Sequence, residues 1–253
     1  MKQPFILIVT WFILCNLHAQ AQTQGDLIQS ATEAYSKEDY KQATELYSEA
    51  INLNGESAII YYNIGNCYYK LNNVAQAILH YERALLLEPG NNDIRFNLEV
   101  AKLKTVDKFE PVDRFFVVEW MESLQNLFST NQWAYAGLGS FFLLITCLVL
   151  FFFSRKIGLK KTGFYLGIVM LVVCIASNSF SYRQKEKLVN RKTAIILTPT
   201  VTIKSSPDNS GTDLFILHEG SKVTIKDQVG NWCEIKNADG SVGWIKNTDL
   251  EVI

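Results

Sequence analysis

Trp133-Ala-Tyr-Ala-Gly-Leu-Gly-Ser-Phe-Phe-Leu-Leu-Ile-Thr-Cys-Leu-Val-Leu-Phe-Phe-Phe153 and Thr162-Gly-Phe-Tyr-Leu-Gly-Ile-Val-Met-Leu-Val-Val-Cys-Ile-Ala-Ser-Asn-Ser-Phe-Ser-Tyr182 decide how this chain is organised. No charge lies between Glu122 and Arg155, and none between Lys161 and Arg183. About 20 apolar residues suffice to cross a bilayer as a helix, and each run reaches that length. Between them stands only the basic stretch 154–161. So short a connection sends one helix in and the next straight back, a transmembrane hairpin. Core helices of a soluble protein rarely run this long without a charge.

Charge is segregated around the hairpin. The whole chain of 253 residues has a formal net charge of −1. Residues 22–128 hold 16 Asp/Glu against 9 Lys/Arg, net −7, and 193–253 hold 8 against 5, net −3. Nine Lys/Arg between Arg155 and Lys192 form a collar, as expected of residues flanking membrane spans. Acidic soluble segments lack the basic footprint that nucleic-acid binding requires.

Residues 1–21 read as a secretory signal: Lys2, an apolar stretch Pro4–Leu17, then Ala19-Gln20-Ala21 as a small-x-small cleavage site. An uncleaved anchor, or a lipoprotein cut before Cys15, are the alternatives.

Residues 22–106 repeat themselves. Ala43, Tyr47 and Ala50 recur 34 residues later as Ala77, Tyr81 and Ala84, and the second unit ends at Pro89. The segment Asp93–Leu103 lines up with Ile59–Tyr69 as a third first-helix, after which the pattern stops. This period, with small residues at these points, resembles the tetratricopeptide (TPR) repeat. Gly65 and Ala77 allow two helices to approach closely, and Pro89 halts the second. Two units and one closing helix, five helices in all, make an all-α solenoid whose last helix must cap the stack. In this repeat family the inner face of each first helix lines a groove. The resemblance carries that role to Ile28, Thr32 and Tyr35, to Tyr62, Asn63, Asn66, Tyr69 and Lys70, and to Phe96 and Asn97. Aromatic faces and amides suit capture of an extended peptide; packing between units is the competing role for the tyrosines.

Residues 107–132 form a connector. Val117, Trp120, Met121, Leu124, Leu127 and Phe128 fall on one helical face, suited to the membrane surface or to packing under the repeats. Ser129 or Thr130 is placed to cap the first span (133–153), with Trp133 and Tyr135 as interface anchors. The four Lys/Arg of the 154–161 loop favour the cytoplasm. Five more follow the second span (162–182) in the linker 183–193 and oppose it. The signal and the acidic approach to the first span break the tie. Both soluble segments are expected outside the bacterial cytoplasmic (inner) membrane, on the periplasmic side.

Residues 194–253 change texture. Ala194–Leu197, Val201–Lys204, Lys222–Ile225, Trp232–Ile235 and Val242–Ile245 are short β-branched runs parted by turn residues, which predicts five strands in a small all-β barrel. The order Val201-Thr-Ile-Lys-Ser-Ser-Pro207, Leu217-His-Glu-Gly220, Gly230-Asn-Trp232 and Asp239-Gly-Ser-Val-Gly-Trp-Ile245 resembles bacterial SH3 domains. The resemblance implies binding to a protein or cell-wall ligand. Trp232 and Trp244 either form a ligand face or fill the barrel.

Catalytic chemistry finds no footing. His18, His80 and His218 join no Ser/His/Asp set, no metal-ligand spacing and no phosphate-binding loop. None of the five cysteines forms CxxC. Cys147 and Cys174 differ in depth by roughly 9 Å, too far for a disulfide. The chain reads as no enzyme, with no cofactor and no metal.

The whole order—signal, short TPR array, two spans, SH3-like end—resembles the BatE-type proteins of Bacteroidetes aerotolerance operons. That resemblance implies a cell-envelope protein associated with oxygen tolerance or stress resistance, working beside von Willebrand-type membrane partners and a MoxR-like ATPase. The expectation is a multidomain membrane protein: TPR solenoid, transmembrane hairpin and SH3-like barrel. It would act as an interaction scaffold through its groove. The alternative is a cell-wall sensing or peptidoglycan-binding module.

Overall fold

A computed structural model describes residues 25–109 and 115–253. The signal segment 1–21 and part of the connector lie outside the described residues. The chain forms two compact units, one holding the repeat helices and the barrel, the other holding the connector helix and the two apolar helices.

Five helices build the repeat array: α1 (25–36), α2 (Tyr40–Asn54), α3 (Ala58–Lys70), α4 (Val74–Leu87) and α5 (Asn92–Lys102). The turn inside each repeat obeys the same 34-residue period as the helices. Glu38 (φ 62°) and Asn72 (φ 59°) both take the left-handed conformation. One residue on, Asp39 and Asn73 accept from the backbone N–H of Gln42 (3.1 Å) and Gln76 (3.2 Å). Each thereby satisfies one orphan donor of the helix that follows. Gly65 has a steric reason. A methyl group there would lie 2.6 Å from the Tyr81 ring, so α3 and α4 close only over a bare backbone. Ala31 takes the equivalent place in the first repeat and is wholly buried, in a cluster with Ala34, Ala43, Tyr47, Ala50, Ile60, Ile64 and Cys67. Pro89 stands two residues past the end of α4, as the sequence indicates.

The C-terminal segment is a seven-stranded antiparallel sheet in the order β3-β2-β6-β5-β4-β1-β7. The strands are β1 (Thr193–Ile196), β2 (Thr200–Lys204), β3 (Asp213–His218), β4 (Lys222–Val229), β5 (Trp232–Lys236), β6 (Val242–Lys246) and β7 (Leu250–Val252). Five of these match the expected runs, and β3 and β7 are additional. The run Asp213-Leu-Phe-Ile-Leu-His218 is apolar on both faces, so it lacks the alternation by which a half-buried strand is recognised. β7 is only three residues long, and its pairing with β1 covers that strand's outer edge. Ala194, Ile196, Ile203, Leu217, Val223, Cys233, Ile235, Ile245 and Leu250 form the core, with Phe109 packed against it from outside the barrel sequence.

In the other unit, α6 (Phe116–Gln125) precedes α7 (Thr130–Phe153) and α8 (Ile157–Val189). The loop between α7 and α8 is three residues, 154–156, not eight, because α8 starts inside the basic stretch. It then runs 33 residues, so the expected linker 183–193 is helical through Val189. No Gly or Pro interrupts Arg183-Gln-Lys-Glu-Lys-Leu-Val189, and Gln, Lys, Glu and Leu are good helix formers. Ser129 caps α7 in a reciprocal capping box with Gln132. Trp133 is not a headgroup anchor: it is buried, its Nε1 donates to the Gln125 carbonyl at 2.8 Å, and it packs edge-on against Phe128 and Phe180. Tyr135 is exposed.

Small residues set the approach of α7 and α8. A methyl at Gly163 would meet the Cys147 carbonyl at 2.8 Å, and one at Gly137 the Asn178 side chain at 2.8 Å. Both helices are apolar enough to cross a membrane, with mean hydropathy 2.4 and 1.9. Only 17% and 22% of their most apolar windows is buried. A core helix of a soluble protein would be mostly covered, whereas these leave Phe, Leu, Ile and Val bare.

Candidate partner-binding surfaces

Of the first-helix positions named from the repeat resemblance, hydrogen bonds link Tyr62, Asn66 and Asn97 to one another and Thr32 to Asn63 through Tyr47, while Ile28 and Tyr35 pack against the core of the first repeat. Asn97 Nδ2 donates to the Tyr62 hydroxyl (2.9 Å) and to Asn66 Oδ1 (3.1 Å), and Tyr81 donates to the same Asn66 oxygen (2.8 Å). Asn63 Nδ2 donates to the Tyr47 hydroxyl (3.3 Å), which also pairs with Thr32 Oγ1 at 3.0 Å. These bonds form a polar ladder across the array from α1 to α5. These amides are therefore part of the scaffold, and each keeps one polar atom without a partner among the described residues: Asn63 Oδ1, Asn66 Nδ2 and Asn97 Oδ1. Ile28, Tyr35, Tyr62 and Tyr69 are half-buried, and Lys70 is exposed. Tyr35 meets Tyr40 edge-on. Lys104 sits 4.0 Å over the Tyr69 ring, a cation–π contact. Phe96 is 69% exposed on the last helix.

Trp232 and Trp244 lie outside the barrel core. Along β5 and β6 the buried residues are Cys233, Ile235, Gly243 and Ile245, and the tryptophans occupy the alternate, half-exposed positions. Register sets Trp244 opposite Glu234 and Trp232 opposite Lys246, whose ammonium stands 5.6 Å from the Trp232 ring centre. Between the two roles left open by the sequence, filling the barrel is the one this arrangement rejects.

A third surface had no counterpart in the sequence reading. The barrel docks on α4 and on the segment just after α5. Glu82 of α4 is buried, 7% exposed, between two ammonium groups, Lys222 of β4 at 2.6 Å and Lys102 of α5 at 3.4 Å. Burial pushes its carboxyl pKa up, but the two lysines outweigh that and hold it below the ordinary value. Arg83 donates to Glu251 (2.8 Å) and to the Val252 carbonyl (2.6 Å). Asp107 accepts from the backbone N–H of His218 (2.7 Å) and the Ser221 hydroxyl, and pairs with His218 Nδ1 (2.7 Å). Burial opposes its ionisation, yet these bonds leave its pKa lowered. Gly220 completes the fit: its φ is +85°, and a methyl there would strike Thr105 at 2.7 Å and Ile78 at 3.1 Å. The only advance signal was Glu82-Arg83 set inside the apolar run Ala77–Leu87, since the partners lie about 110 to 170 positions away.

His80, half-buried on α4, stacks on Tyr68. Burial, then the charge of Arg83, lowers its pKa to about 3. Among the described residues no cluster of His, Cys, Asp and Glu is placed to hold a metal, and the four cysteines there are free.

The family models agree with this division. A TPR repeat model matches residues 33–72, a tetratricopeptide repeat model 58–91, and a bacterial SH3 domain model 199–251. No curated protein matches the chain. Among solved structures, PcrH in complex with the chaperone binding region of PopB is 13% identical, covering 65% of this chain and 93% of that one, with a TM-score of 0.32. The Sgt2 TPR domain from Aspergillus fumigatus is 13% identical, covering 66% and 82%, with a TM-score of 0.30. The chain thus carries tetratricopeptide repeats, a pair of apolar helices and a bacterial SH3 domain.

Proposed function

We propose that the chain is a membrane-anchored interaction scaffold of the bacterial cell envelope that captures an extended segment of a partner protein in the TPR groove. The observation that carries this reading is Phe96. It is a large apolar ring, 69% exposed, on the same helix as Asn97, whose side chain bonds Tyr62 and Asn66. An extended peptide would lay apolar side chains on these rings and bond the free amide atoms with its backbone.

The docking contacts support a two-span topology. The repeats precede the two apolar helices and the barrel follows them, yet Glu82, Arg83 and Asp107 reach barrel residues directly. Two spans return the chain to the side it left, which satisfies that contact; one span would not. The signal-like start favours the periplasmic side of the inner membrane. The resemblance to BatE-type proteins adds von Willebrand-type membrane partners, a MoxR-like ATPase system and a role in oxygen or stress tolerance to this proposal.

The test is crosslinking with mass spectrometry in native membranes, comparing wild type with the triple variant Tyr62→Ala, Tyr69→Ala, Phe96→Ala. Loss of the crosslinked partner supports the groove; an unchanged partner set refutes it. A second reading is peptidoglycan binding, favoured by the outward, half-exposed Trp232 and Trp244. Under it the full chain co-sediments with purified peptidoglycan and Trp232→Ala plus Trp244→Ala abolishes the co-sedimentation.

A further inference from the structure

We propose that the cleft between α6 and the C-terminal extension of α8 holds the headgroup of a zwitterionic amino-phospholipid. This rests on the membrane reading given above. The cleft measures about 310 Å³ and lies wholly within the unit of α6, α7 and α8. One wall, on α6, is made by the apolar side chains of Val117, Val118 and Met121 together with the carboxylate of Glu122. The opposite wall carries Arg183, Glu186 and Lys187 on α8. No side chain of these three bonds to another described residue. An independent feature points into the same place. Gln125 lines the cleft and is 4% exposed, yet its side-chain Nε2 has no partner among the described residues. Its backbone carbonyl is already taken, by the Trp133 indole and by Gln184 Nε2 at 2.7 Å. Gln184 in turn leaves a buried Oε1 without a partner. Buried amide atoms rarely stay unsatisfied, because each costs its full desolvation penalty.

Position selects the ligand. α7 begins at Thr130, a few residues after α6, and the apolar run of α8 gives way to charge at Arg183. That level is where headgroups meet a bilayer's hydrocarbon. Trp120, exposed on α6, is a residue that favours the same depth. The charges select the class. Arg183 and Lys187 suit a phosphate, and Glu186 beside them suits a primary ammonium that donates hydrogen bonds. An anionic headgroup would leave Glu186 opposed to it, and a trimethylated one has no hydrogen to give. The apolar wall takes the first carbons of the acyl chains.

The experiment is native mass spectrometry of the full chain in mild detergent, titrated with phosphatidylethanolamine, phosphatidylcholine and phosphatidylglycerol in turn. The expected result is one retained phosphatidylethanolamine, with about tenfold preference over each of the others. Arg183→Ala with Lys187→Ala lowers retention of that lipid about tenfold. Glu186→Gln, an exposed conservative change, abolishes the preference over phosphatidylglycerol while retention persists. Equal retention of the three lipids, or variants that behave as wild type, overturns the proposal. Carbonate extraction of native membranes separates this from the anchor itself. A chain that stays in the pellet without lipid selection refutes the site alone, and a chain released to the supernatant refutes the membrane reading.

Discussion

Replacing Lys222 by Met should loosen the barrel from the repeats, and the size of the effect follows from Glu82. The carboxylate is buried and bonded to two ammonium groups, of which Lys222 is the nearer, at 2.6 Å against 3.4 Å. A charge-assisted hydrogen bond contributes about 1.5–3 kcal/mol, and breaking a wholly buried pair costs about 3–5 kcal/mol. Lys222 is 42% exposed and Lys102 38%, so solvent screens both cations and Lys102 still faces the carboxylate. The lower part of the range applies, about 2 kcal/mol, which is roughly a 30-fold shift toward the undocked state. Hydrogen exchange of the full chain in detergent measures it, read at α4 and β4. A double-mutant cycle isolates the pair: Glu82→Gln removes the charge that Lys222 serves, so Lys222→Met should then cost little. Losses that add to within about 0.5 kcal/mol would refute the clamp and reduce the contact to shape alone.

Acid should undock the barrel by the same chemistry. Glu82 and Asp107 both have pKa values lowered in the folded state, so their contribution is present above the ordinary carboxylate range and is lost as pH falls through their folded values. Exchange at β3 and β4 should rise there before the array melts. His80 works at higher pH: its folded pKa is about 3 against 6.5 unperturbed, so only the unfolded chain takes the proton as pH drops below 6.5. Stability of the array should fall by about 2 kcal/mol between pH 7 and pH 5, and His80→Phe should flatten that slope in thermal melts. Gly65→Ala should destabilise by about 1–3 kcal/mol, since its methyl would sit 2.6 Å from the Tyr81 ring. Phe96→Ala should leave the melting temperature unchanged, the ring being 69% exposed, while weakening partner capture.

Local and periodic features were open to sequence reading. The recurrence of Ala43, Tyr47 and Ala50 at Ala77, Tyr81 and Ala84 marks contacts made within one repeat, so spacing alone reports them. The uncharged runs ending at Phe153 and Tyr182 report the apolar helices by the same logic. Helix ends were less legible. Nothing chemical separates Lys160 from the helix that contains it, and the polar residues after Tyr182 are themselves helix formers. β3 escaped because both of its faces are apolar. The groove positions came from the repeat resemblance, and the structure adds what resemblance omits: Asn66 and Asn97 are tied to tyrosine hydroxyls and stiffen the face they line. Asp107, Glu82 and Lys222 had no periodic or motif signal, because their meaning lies in contacts across more than a hundred residues.

The most direct measurement joins the two sides of that docking. The ammonium groups of Lys102 and Lys222 lie on opposite sides of the hairpin in sequence, yet both bond to the carboxylate of Glu82. A short amine-reactive crosslinker applied to intact membranes, with peptides read by mass spectrometry, should give a Lys102–Lys222 crosslink within single molecules. Its absence, with Lys204 and Lys246 of the barrel still modified, would contradict a platform in which repeats and barrel stand together on one side of the membrane.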